Sequence, residues 1–197
     1  MSVGFHGEIL VGRGESETFV EALAQFWNWD EEVSDDWQLR DNWRAVCVRT
    51  PAADGELAEL AHAAGGPVLA CLVFEGDMGH IQGISAAGRW EAWLNSDYAA
   101  HLRAWSTVDE EVGGLDPDGS PADHARVNQL EAEYHGEMEA ARPDAARAAA
   151  AWADQAGLLA DASRVEEVLF MPWKPQAQRG FFALLAVLGI ADPQSES

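Results

Sequence analysis

Glu75, Asp77 and His80 lie close together in the chain, at the end of the apolar run Val68-Leu69-Ala70-Cys71-Leu72-Val73-Phe74. Two carboxylates and an imidazole at a strand end are the raw material of proton transfer or of metal binding. The same stretch, Glu75-Gly76-Asp77-Met78-Gly79, is also what an exposed chain reversal would use for turn geometry and solubility. A second polar group comprises His124, Asn128, Glu131 and His135. At about 100° per residue these share one flank of a helix. His124 and His135 would stand about 16 Å apart along it, too far for one ion to bridge. Glu131 and His135 supply at most half a metal site; the plainer alternative is a polar flank that hydrogen-bonds to its neighbours. His135 is the histidine that folding could bring to Glu75, Asp77 and His80.

Other chemistry is poorly represented. There is no Gly-x-Ser-x-Gly elbow, phosphate loop, dinucleotide glycine pattern or Cys-x-x-Cys pair. Gly12-Arg13-Gly14-Glu15 lacks the later glycine and the lysine that would hold phosphates. With two cysteines and scattered histidines, no structural metal and no cofactor are expected.

Nine tryptophans are many for 197 residues. Four of them, Trp27, Trp29, Trp37 and Trp43, bracket the acidic stretch Asp30-Glu31-Glu32-Val33-Ser34-Asp35-Asp36. Aromatic anchors rimmed by charge form the pattern of an interface hot spot. The candidate binding residues are therefore Trp29, Asp30, Glu31, Asp35, Asp36, Trp37 and Trp43. The competing explanation is that large rings fill a core otherwise built of alanine.

The charge balance sets the class of partner. Thirty-four acidic residues against twelve basic ones give −22 at pH 7. Such a field repels nucleic acid and anionic membranes and draws in cationic surfaces. Host composition would give the same acidity without any functional role. Two classes of function follow. One is a non-catalytic cytosolic protein-binding domain for a basic protein partner, in its most specific form an acidic inhibitor or immunity-like protein. The other is a small metal-dependent or acid–base enzyme using Glu75, Asp77, His80 and His135. Cytoplasmic location is expected because the first residues lack a basic and apolar leader, the longest apolar stretch (181–190) is short, and both cysteines sit in apolar runs.

The elements that must position these groups can be read from periodicity. Strands are expected at 5–11, 43–50, 67–74, 80–85 and 89–94, the last three as an antiparallel meander. The unbroken apolar run of the 67–74 strand predicts a central position with both faces covered, so that Leu72→Asp would unfold the chain. Ser16 or Thr18 can cap a helix carrying Phe19, Leu23 and Phe26, and a short helix spans 55–64. Residues 30–36 read as a solvated loop. The second half is helical: a helix from Asp97, a loop at 112–121, a striped helix over 122–141, a new helix from Pro143 to Gly157, and an apolar helix over 178–188. The fold class is therefore α+β, with a mainly antiparallel sheet of about five strands in residues 1–111 and a helical region over 122–191 packed on it as one unit.

Overall fold

Apolar residues alternate or run unbroken through five short segments, and in the computed structural model these pair with a sixth, mostly acidic one into one antiparallel sheet. The structure describes residues 6–13, 18–53, 55–86, 88–113 and 120–191, with Trp29 and Asp30 described by their backbone. Phe5, Ser16 and most of the expected 112–121 loop lie outside the described residues. The strands are β1 (Gly7–Arg13), β2 (Val33–Gln38), β3 (Trp43–Val48), β4 (Val68–Phe74), β5 (Met78–Ser85) and β6 (Gly88–Leu94), in the order β2-β3-β1-β4-β5-β6. The meander β4-β5-β6 is as expected, and β1 bridges it to the β3-β2 pair.

The sixth strand corrects the solvated loop. In β2, Val33 and Trp37 are half-buried, while Ser34, Asp35, Asp36 and Gln38 are exposed. An edge strand has one neighbour, so it tolerates the charges that a central strand would reject, and those charges discourage pairing between copies. Across a register shift between Val33 and Asp35, Val33 packs on the face of Val48 and Trp37 on the face of Ala45, so the strand shows no apolar alternation.

The two faces of the sheet are covered differently. One carries Ile9, Val11, Trp43, Ala45, Leu69, Cys71, Ile81, Trp90, Ala92 and Leu94. These pack under α5 (Pro121–Gln155), α6 (Ala162–Phe170) and α7 (Ala177–Val187), so the sheet and the C-terminal helices share a single core. The alanine run of α5 lets that helix approach closely, with Ala146, Ala149 and Ala153 buried. Trp152 sits among them against Trp43, ring centroids 5.7 Å apart, and its indole N–H donates to the Ile84 carbonyl at 3.0 Å. Gly83 is flat for a related reason. A Cβ there would lie 2.1 Å from the Trp90 ring, so the glycine is the seat of that indole.

On the other face, Leu10, Val46, Val48, Val68 and Ala70 are buried under α1 (Thr18–Leu23) and α3 (Glu56–Ala63), and between these two in the chain the short α2 (Trp29–Glu32) takes the first residues of the expected loop. This cover stops short. Val68 to Cys71 and Val73 are buried, but Leu72 and Phe74 are half-exposed. The expectation that β4 is covered on both faces thus fails at its C-terminal half, because two helices this short span only part of a six-stranded sheet. Leu72→Asp is accordingly a milder change than a charge at Leu69.

The long α5 corrects a second expectation. It runs unbroken through Pro143, which had been expected to start a new helix. The proline removes one hydrogen bond, but the helix is held on both sides of it: α4 (Ser96–Val112) packs with Val127 and Leu130, and the sheet with Ala146 to Ala153. Ser120 and Asp123 close a capping box at its start. At its end, Gly157 takes φ +74 and allows Leu158 N–H to donate to the Ala153 carbonyl at 2.9 Å.

Asn95 ties the two halves together. It is 6% exposed and left-handed at φ 57, and it is the N-cap residue of α4. Its amide N–H donates to the Asp77 carbonyl in the β4–β5 turn, and its amide oxygen accepts from Trp173 N–H, between α6 and α7, at 2.7 Å. Asn95→Gly keeps the backbone but deletes both buried bonds; Asn95→Ala also strains the left-handed turn. Losses of about 2 kcal/mol for glycine and about 3 kcal/mol for alanine are expected in urea unfolding. Equal stability of the alanine variant and wild type would refute the tie.

Candidate functional site

The sequence-predicted acid–base residues do not gather. Glu75 is exposed in the β4–β5 turn at φ 52, and Asp77 follows it in the same reversal, where its backbone carbonyl is held by Asn95. His80 is already inside β5, where it pairs with Leu72 on one side and Trp93 on the other. His135 is on α5, 3.7 Å from Glu139 and beside a shallow depression with Asp97, Asn128 and Glu131. That depression belongs to the α4–α5 pair, whereas His80 faces the half-covered side of the sheet. The flank of α5 bonds to its neighbour: Glu131 meets His101 Nδ1 at 2.9 Å, and His124 packs edge-on to Trp105. Among the described residues, no three His, Cys, Asp or Glu side chains are grouped to hold a metal ion. Both cysteines are free and buried, and burial pushes both thiols up, away from the nucleophilic thiolate.

The predicted binding residues divide as the strand pattern demands. Trp43 is fully buried in the main core and is no surface anchor; its place in β3 puts its ring under α5. Trp37 is half-buried on the edge strand, edge-on to Phe182 of α7 at 5.4 Å. Glu31, Asp35 and Asp36 are exposed. Asp36 takes a forked pair from Arg44 of β3, Nε to Oδ1 at 2.6 Å, whereas Asp35 is on the same face as Trp37. The side chains of Trp29 and Asp30 lie outside the described residues.

A cavity of about 340 Å³ opens where the helical cover of the sheet ends. Its floor is a row of side chains on one face of adjacent strands: Glu8 of β1, Leu72 of β4 and His80 of β5, with Gln82 and Ile84 further along β5. The wall is the 51–53 segment and the start of α3. Glu8 and His80 are two strands apart, about 10 Å between backbones.

Glu8 is the residue that sequence reasoning missed. It is 5% exposed, and its Oε2 accepts from Ala52 N–H at 2.7 Å. Burial pushes its carboxyl up to about 7; the Ala52 bond opposes this and the nearby Glu56 charge adds to it. His80 is held below its ordinary value by burial, against the pull of Glu91. Its ring stacks on Trp93, centroids 4.0 Å apart, and Nδ1 meets the Gln82 amide at 3.5 Å. Its Nε2 is buried 3.4 Å from Glu91 Oε2, near enough for Coulomb attraction but without hydrogen-bond alignment. The one sequence signal for Glu8 was a charge in a strand otherwise made of Ile9, Leu10 and Val11.

Compared with known proteins, the chain is matched by no family model, no curated protein and no solved structure. No described helix is long and apolar enough to cross a membrane.

Glu8 makes stability depend on pH with a definite sign. Its carboxyl goes from 4.5, the ordinary value, to about 7 on folding, so the native state keeps a proton that the unfolded chain releases. Its contribution is full below about pH 4.5 and is lost as pH rises through 7, roughly 3 kcal/mol at the upper limit. Glu8→Gln keeps the acceptor for Ala52 and should be more stable than wild type at pH 8 by about 1–3 kcal/mol, with the difference vanishing near pH 4.5. Urea unfolding at pH 5 and 8 would measure this, and parallel curves for the two proteins would refute it.

Proposed function

We propose that this chain is a non-catalytic, cytosolic protein-binding domain for a basic partner, with the outer edge of the sheet as its contact surface. The observation that supports it is the makeup of β2: an edge strand with exposed Asp35 and Asp36, Glu31 just before it, and a half-buried Trp37 seated on Phe182. An aromatic ring that is partly accessible yet fixed in place can be covered by a partner at little entropic cost. The carboxylates around it, within a field of −22, speed encounter with a cationic surface and reject anionic competitors. An inhibitor that fills the basic cleft of a nucleic-acid-processing enzyme would have these properties, without needing chemistry of its own. The enzyme alternative built on Glu75, Asp77, His80 and His135 loses its support, since a common pocket was its requirement.

The experiment is a pull-down of basic proteins on immobilised wild type at about 50 mM salt and again at about 500 mM, where screening shortens the reach of charge to a few ångströms. Retention of a defined basic protein, reduced at high salt, is expected. Trp37→Ala should weaken it by at least tenfold, and Glu31→Gln with Asp35→Asn by several-fold, mainly through the association rate. Equal recovery by wild type and both variants would overturn the proposal.

A further inference from the structure

We propose that the cavity over β1, β4 and β5 is a binding site for an organic cation, an ammonium or guanidinium group on a short aliphatic arm, with Glu8 as its counter-ion. The site stands apart from the acidic β2 edge, and neither proposal depends on the other.

Three observations point there. First, the space is of ligand size: about 340 Å³, within the range of small-molecule pockets. Second, its polar groups are buried and incompletely satisfied. Glu8 is 5% exposed with one carboxyl oxygen held by the Ala52 N–H, and His80 Nε2, 3.4 Å from Glu91 Oε2, is buried without an aligned hydrogen bond among the described residues. Buried polar atoms left in this state cost stability that a ligand can recover. Third, the apolar part of the lining, Leu57, Leu72 and Ile84, suits an aliphatic arm while the carboxyl takes the head.

The sign of the ligand follows from the charges around Glu8. Glu56 approaches from α3 and His80 from β5; Arg89 and Glu91 face the same side from β6. Arg89 is 4.0 Å from Glu91, which also faces His80. One arginine therefore meets three carboxylates, and His80 is held toward its neutral form by burial. An anion entering here would meet uncompensated carboxylates. A cation replaces the proton that burial otherwise keeps on Glu8. Binding is therefore linked to proton release, and affinity rises with pH until Glu8 is ionised in the free protein, near 7.

The test uses the full chain with n-butylguanidinium as probe, its neutral isostere n-butylurea as control, and a short capped arginine peptide as a second arm. Calorimetric titration at pH 6 and pH 8 is expected to show butylguanidinium binding more tightly at pH 8, and butylurea at least tenfold more weakly than the cation. Glu8→Gln should lose at least tenfold of the cation affinity and its pH dependence, while Glu110→Gln, an exposed carboxylate on α4, stays within about twofold. The Glu8 carboxyl, followed by carbon NMR, should titrate at lower pH with the probe bound. Tighter binding of the peptide than of butylguanidinium would assign the cation to a polypeptide side chain; the reverse would assign it to a free small molecule. No binding of either cation below about 10 mM, equal binding of cation and urea, or an unmoved Glu8 titration would overturn the site. Loss of affinity in Glu110→Gln equal to that in Glu8→Gln would also overturn it, by showing attraction to the overall charge. A failure of the β2 surface would leave all of these readouts unchanged.

Discussion

One side of the sheet is buried from β3 to β6, and that burial depends on how closely α5 can approach. Ala146, Ala149 and Ala153 give the helix a flat underside; Gly83 gives the sheet a matching hollow filled by the Trp90 ring. Trp152 then spans the gap to Trp43 and fixes the helix by its bond to Ile84. A larger side chain at the alanines or at Gly83 would push the layers apart, and the fully buried positions of α7, Phe181, Leu184 and Leu185, would lose their partners.

The opposite face shows what happens when cover is scarce. α1 and α3 together offer few residues, and they spend them over β3, β1 and the first half of β4. The rest of that face is left with side chains that must be tolerable near water yet remain mostly enclosed: Leu72, His80, Gln82 and, at the margin, Glu8. Buried polar groups accumulate there because the sheet continues beyond its roof. A perturbed carboxyl and an imidazole nitrogen without an aligned hydrogen bond are consequences of that geometry before they are signs of function.

The tryptophans show how the two explanations for an aromatic-rich sequence divide in one molecule. Trp27, Trp43, Trp90 and Trp152 are buried, with the N–H groups of Trp27 and Trp152 satisfied by backbone carbonyls. Trp37 and Trp93 are half-exposed, one beside Phe182 and the other against His80. Residue type alone does not separate these roles, since an indole suits both a core and a wet boundary.

The sequence alone determined the class of fold. Apolar runs and turn residues marked β1, β3, β4, β5 and β6, and helical periodicity marked α1, α3, α4, α7 and, as two pieces, α5, because strand and helix periods are local properties of the chain. It also determined the net charge, −22 at pH 7. Three things it left to the tertiary structure. The acidic run became an edge strand because it found one neighbour in β3; Pro143 stayed inside a helix because packing held both sides of it. Glu8, unremarkable in sequence, became the most perturbed carboxyl among the described residues because two short helices end before the sheet does. Burial, and therefore pKa and pocket, is a property of which surfaces meet across long stretches of chain. Local pattern carries no record of that.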